Sequence, residues 1–175
     1  FYVVRTGCQW RNLPTDFAPW GTVYHYYRLW KRNQLWEHIH THLREHLRQV
    51  EGRQRHASAG IIDSQSVKST ECSDQRGYDA GKKVKGRKRH VLVDTLGLVL
   101  LVLVLPANIQ DRDAARHLLA KFFGQKTRRR VKHIGADGGY AGALVAWARQ
   151  RWQCTVEIVK RTEAHIFKVL PRRWV

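Results

Sequence analysis

"RHVLVDTLGLVLLVLVLP", residues 89–106, decides the fold class. Two apolar runs flank Asp94–Gly97, which has the polar and glycine content of a turn, so the stretch reads as two strands joined tip to tail. Pro106 ends the second strand. The longest apolar run, Leu98–Leu105, falls far short of the roughly 20 residues a membrane helix needs, and it suits a buried strand. Upstream, "AGIIDSQSV" (59–67) reads as another strand, followed by a polar, basic, glycine-containing loop over 70–87. Downstream, Asp111 or Asp113 caps a helix from about Ala114 to Phe123. "VKHIGAD" (131–137) is a strand closed by Gly138 and Gly139, a helix runs from about Ala141 to Trp152, and "TVEIVK" (155–160) is a last strand. "LPRRWV" (170–175) opens a further helix, with Pro171 tolerated in its first turn. The order β-β-β-α-β-α-β, a hairpin followed by alternating units, specifies an α/β fold with a mixed sheet and helices packed on it.

Residues 1–50 differ in composition and read as a small helical domain. Thr22 caps a helix running to about Asn33, and a second runs from about Leu35 to Val50. Residues 51–58, "EGRQRHAS", are polar and carry no period, as a linker does, which leaves 59–175 as the α/β domain. "FYVVRTG" at the start reads as the tail of an element already under way, so the chain reads as part of a longer protein. Aromatic side chains crowd residues 10–36; they can stack on bases, but their spacing favours a small helical core.

Charge is the loudest compositional signal. The 32 Lys and Arg against 14 Asp and Glu give +18 and a pI near 10.6. Such a surface repels itself unless a polyanion neutralises it, and nucleic acid is the expected partner. An anionic membrane is disfavoured, because no long basic amphipathic segment stands out. Cys8, Cys72 and Cys154 are widely spaced with no C-x-x-C pair, which argues against a zinc ribbon or a disulfide scaffold and fits a reducing compartment. Nothing at the opening reads as a signal peptide.

Asp63 and Asp137 share one local situation: each interrupts or ends an apolar strand and is followed by small or polar residues. Reacting groups in open α/β sheets gather at the carboxyl ends of neighbouring strands. Two carboxylates meeting there repel unless a divalent cation lies between them, and hard oxygen ligands suit Mg²⁺ or Mn²⁺. Such a site supports phosphoryl transfer. Alternatively, each Asp closes its strand by bonding turn amides. Asp94, at the corner of the hairpin, fits that second role better, and Asp111 and Asp113 read as helix caps. "KKVKGRKRH" (82–90) supplies Lys82, Lys83, Lys85, Arg87, Lys88 and Arg89 as phosphate contacts, with "KTRRRVK" (126–132) as a second patch. Arg28, Lys31 and Arg32 on the aromatic helix are further candidates. "HLREH" (42–46) matches H-x-x-E-H, so His42 and His46 with Glu45 form a remote zinc-peptidase alternative, with His38 one turn away.

Several blocks together resemble a known family. "YVVRTGCQWRNLPTDFAPWGTVYHYYRLW", "IIDSQSVKS", "DAGKKVKGRKRHVLVDTLGLVL", "IGADGGYAG" and "LPRRWV" occur in this order in bacterial insertion-sequence transposases of the DDE type, in the group named for insertion sequence five. The resemblance covers nearly the whole chain. It implies an RNase H-like catalytic core preceded by a small helical DNA-binding domain. It places the first two catalytic aspartates on Asp63 and Asp137, both also metal ligands. The third acid, a glutamate, lies in the family just after "LPRRWV", past Val175. Glu157 and Glu163 lie upstream of that motif and do not substitute, and "RTEAHIFKVL" (161–170) departs from the family pattern. The implied activity is Mg²⁺- or Mn²⁺-dependent cleavage of transposon ends and strand transfer into double-stranded target DNA. The resemblance further implies a homo-oligomer when intact, located in the cytoplasm at the nucleoid. With one carboxylate missing, these 175 residues are expected to join strands poorly. The alternative is a catalytically inactive remnant that only binds DNA.

Overall fold

The computed structural model describes residues 1–69, 75–124 and 130–159. The segments 161–170 and 170–175, and most of the basic patch at 126–132, lie outside the described residues. The chain divides into two compact units, Phe1–Glu51 and Gly52–Val175.

The first unit is helical: α1 (Tyr2–Thr6), a 3₁₀ turn (Trp10–Asn12), α2 (Trp20–Arg32) and α3 (Leu35–Val50). Leu35–Val50 agrees with the sequence. The preceding helix starts two residues before Thr22, and Pro19 rather than Thr22 stands at its N-cap. The aromatic rings pack on one another: Trp10 lies 5.1 Å from both Tyr24 and Tyr27, and Trp30 meets Trp36 edge-on at 5.5 Å. None of these rings is buried, and Trp20, Tyr26, Tyr27 and Trp30 are between a third and a half exposed. The expected aromatic core is therefore a surface cluster rather than a sealed interior.

The second unit is the α/β body. Its strands are β1 (Ala59–Lys68), β2 (Gly77–Asp79), β3 (Val84–Asp94), β4 (Val99–Pro106), β5 (His133–Ala136) and β6 (Thr155–Ile158), with helices α4 (Asp111–Phe123) and α5 (Ala143–Trp152). Strands β1, β3 and β4 form an antiparallel meander, and β5 and β6 extend it from the other side of β1 in parallel. Short β2 pairs with Val84–Gly86, on the edge of β3 that β4 covers further along. This meander-plus-parallel-pair sheet with flanking helices is the mixed sheet expected from the pattern and the RNase H-like architecture that the resemblance implies.

Two expectations change here. The segment 70–87 is not one loop, because β2 and the start of β3 fall within it. Helix α4 begins at Asp111, with Gln110 at the N-cap, so Asp111 lies inside the first turn rather than capping it.

Period-two alternation makes one sheet face the core. On β3 the buried row is Gly86, Lys88, His90, Leu92 and Asp94. Helix α4 lays Ala114, Ala115, Leu118, Leu119, Phe122 and Phe123 into the core as an i, i+3, i+4 stripe. Each large side chain buried there contributes about 1.5–3 kcal/mol. Two glycines are required by geometry. Gly97 takes φ 77° in the β3–β4 turn. At Gly86 a Cβ would overlap the carbonyl oxygen of Val67, so only glycine lets β1 approach β3 at that row. Asp94 closes the same turn: its Oδ1 accepts from the amides of Leu96 and Leu98, both at 2.9 Å. No described helix is long and apolar enough to cross a membrane.

Candidate active site

Strand β1 changes character within one residue. Ile62 is buried in the core, and Asp63 beside it is exposed on the opposite sheet face. The parallel ladder to β5 pairs Ala59 with His133, Gly60 with Ile134 and Ile61 with Gly135. Asp63 and Asp137 each stand two residues past that last pair, so the register carries both to the same level at the carboxyl ends of neighbouring strands. Period-two alternation also gives both the face of Ile61 and Gly135. The register thus places two acids remote in sequence at the ends of adjacent strands.

Each carboxylate is partly held by its own backbone. Asp63 Oδ1 accepts from the Ser64 amide at 2.7 Å. Asp137 Oδ1 accepts from the Gly139 amide at 2.9 Å and so caps the 3₁₀ turn Gly138–Tyr140. The turn-closing role is therefore real for Asp137. Oxygen donors of this kind suit a hard divalent cation that keeps several water ligands. Among the described residues no group of three or more His, Cys, Asp or Glu converges on one point. The same holds for His42 and His46, which are exposed on α3 with no third ligand beside them.

Alternation divides the basic run. Lys85, Arg87 and Arg89 occupy the Asp63 face of β3, and Arg89 lies opposite Gln65, donating to its Oε1 at 2.6 Å. Lys82 precedes the strand and donates from Nζ to the Ser64 carbonyl at 2.9 Å, one residue from Asp63. Lys83, in the same turn, is exposed. Lys88 does not join them. It points into the body, 5% exposed, with Nζ 3.1 Å from Asp79 Oδ2 and 3.2 Å from Asp111 Oδ1. Its charge is spent on two carboxylates, which removes it from the DNA-contact set. In the helical unit Arg28, Lys31 and Arg32 are exposed on α2, Arg28 lying over the Tyr24 ring at 5.9 Å.

Below the acid pair lies a polar layer that sequence reasoning missed. The Ser66 hydroxyl donates to Asp79 Oδ2 at 2.6 Å, and Asp79 Oδ1 accepts from the Lys82 amide at 3.1 Å. The Ser66 bond, followed by the Lys82 amide and Lys88, overrides burial and holds the Asp79 carboxyl down at about 2. His90 is fully buried, and burial lowers its pKa to about 4. Neither of its ring nitrogens meets a hydrogen-bond partner. Asp111 faces Asp137 across Gly139: a Cβ on that glycine would lie 3.2 Å from Asp137 Oδ1 and 3.5 Å from Asp111 Oδ2. The available signal was the alternation Gly86, Lys88, His90, Leu92, Asp94, which puts polar residues on the core side.

The mixed sheet thus carries two carboxylates at adjacent strand ends beside a basic strand face. Residues 54–175 match the family described as "Transposase DDE domain", and residues 1–40 match "Putative transposase of IS4/5 family". The chain belongs to the DDE transposase family. No curated protein matches it. Among solved structures, a piggyBac transposase synaptic complex with hairpin DNA is similar at 13% identity and a TM-score of 0.35, covering 66% of this chain and 25% of that one. The chain thus spans a quarter of that transposase's length.

Proposed function

We propose that the α/β unit is the catalytic part of an insertion-sequence transposase that cleaves DNA and transfers strands, using Asp63 and Asp137 as its first two metal-binding carboxylates. The alignment of these two residues at the end of the β1–β5 ladder carries the reading. A divalent cation, Mg²⁺ or Mn²⁺, supplies charge neutralisation and activation of the attacking oxygen when bound there. Asp63 and Asp137 hold the ligand positions. In each step an oxygen nucleophile, first water and then a free 3′-hydroxyl, forms a bond to phosphorus as the bridging P–O bond breaks. Lys82, Lys83, Lys85, Arg87 and Arg89 line the approach and hold the backbone of double-stranded DNA. Arg28, Lys31 and Arg32 give the helical unit its own phosphate contacts. The protein works in the cytoplasm at the nucleoid, as a homo-oligomer when intact.

Metal binding is the direct test. Calorimetric titration of the 175-residue chain with Mn²⁺ is expected to show binding that weakens at least tenfold in Asp63→Asn and in Asp137→Asn. Asn keeps the turn-closing acceptor in each case, so parental Mn²⁺ affinity in both variants would sink the metal assignment.

DNA contact has a separate signature. Affinity for a duplex is expected to fall steeply with salt, and Arg89→Ala reduces the slope of log K against log salt by about 1. A slope unchanged in Arg89→Ala would place the duplex elsewhere.

A further inference from the structure

Helix α2 carries Arg28, Lys31 and Arg32 and no acid, and its aromatic rings are not sealed from solvent. A cavity of about 730 Å³ opens on this helix, within the roughly 300–1,000 Å³ typical of ligand pockets. Its lining divides by chemistry along the axis. Gly21, Tyr24 and Tyr27 lie towards the start of the helix, and the three cations towards its end. The two tyrosine rings are near parallel, with 23° between their planes, and Trp10 braces both at 5.1 Å. Tyr27 remains 36% exposed. At Gly21, one turn before Tyr24, an added Cβ would meet nothing within 4 Å, so the space there is open.

Phosphate contact alone needs only the cations, which any solvated helix face can carry. Rings beside them add a different chemistry, because an aromatic face stacks on the flat of a base. Inside a duplex both flats of each base are covered by its neighbours, so a stacking ring selects a strand whose bases are unpaired. Resting on the reading that Arg28, Lys31 and Arg32 contact phosphate, we infer that this cavity binds single-stranded DNA. One base stacks at Tyr24 and Tyr27, and the adjoining phosphates lie on the three cations.

Fluorescence anisotropy with the full chain tests it. The probes are a labelled oligo(dT) of about 12 nucleotides, within the span such sites cover, and an abasic strand of equal length and charge. The parent is expected to bind oligo(dT) about tenfold more tightly than the abasic strand. Tyr27→Ala and Gly21→Leu each reduce that preference to below about threefold, whereas Tyr27→Phe keeps the ring and retains it. Gly21→Leu guards against misfolding. Leucine has the better helix propensity and enters open space, so the melting temperature is not expected to fall. Arg28→Ala weakens both strands alike, because the phosphates are common to them. Equal affinity of the parent for the two strands, or binding of neither, overturns the inference, as does a preference that survives both Tyr27→Ala and Gly21→Leu. If the preference depends on Tyr27 while alanine at Arg28, Lys31 and Arg32 together changes nothing, the stacking cavity stands and the phosphate reading alone fails.

Discussion

Replacing Lys88 by methionine is expected to cost about 3–5 kcal/mol of stability, the penalty for leaving buried carboxylates without their cation. Lys88 Nζ lies between Asp79 and Asp111, tying the end of β2 to the first turn of α4 through the centre of β3, and it also donates to the Ile109 carbonyl at 3.3 Å. Methionine keeps the length of the stem and removes the charge, so the cost is electrostatic rather than a cavity. The loss is a large share of the roughly 5–15 kcal/mol that holds a domain folded. Thermal or urea unfolding of Lys88→Met measures it. Adding Asp79→Asn to that variant is expected to recover part of the loss, because one of the stranded charges is gone. Unfolding of Lys88→Met within about 1 kcal/mol of the parent would show that solvent reaches the two acids freely.

The second large effect is on pH dependence. His90 is buried as the neutral ring, with its pKa lowered from 6.5 to about 4 by burial and by Lys88 and Lys82, against the opposing pull of Asp111. The unfolded chain therefore takes up a proton that the folded chain refuses between those values. Stability is fully present above pH 6.5 and is lost as pH falls towards 4. The loss totals about 3 kcal/mol, because each pH unit between the two values carries roughly 1.4 kcal/mol. Asp79 extends the loss at lower pH, between 3.8 and about 2, again because its folded pKa is depressed. His90→Leu is expected to flatten the upper limb, leaving the Asp79 limb intact, and to be no less stable at pH 7, where the parent buries two unpartnered ring nitrogens. Melting curves at pH 7, 5 and 4 for both proteins decide the matter. A parent curve that is flat from pH 7 to 4 would show that His90 is solvated.

Much of the body was legible because hydrophobic pattern and turn chemistry agree there. The hairpin around Asp94–Gly97 and the strand placing Asp63 follow from period two and from glycine at a positive φ. What hid the start of β3 is that "VKGRKRH" is polar on both faces. Lys88 and His90 point inward while Arg87 and Arg89 point outward, and polarity alone cannot separate a solvated lysine from one neutralised by Asp79 and Asp111. Asp111 was read from its local role at a helix start, whereas its long-range partner lies on β3. The aromatic helix misled in the opposite sense, since rings that contact one another need not be sealed from solvent in a three-helix unit this small.

The parallel β1–β5 contact also sets when in folding the proposed site first exists. Positive charge needs no fold, so a nascent or partly unfolded chain already carries all +18 of it. The paired carboxylates, by contrast, exist only once β5, separated from β1 by the rest of the meander and α4, has docked in register. Charge precedes the site: the sheet withholds the Asp63–Asp137 pair from any molecule that has not finished folding.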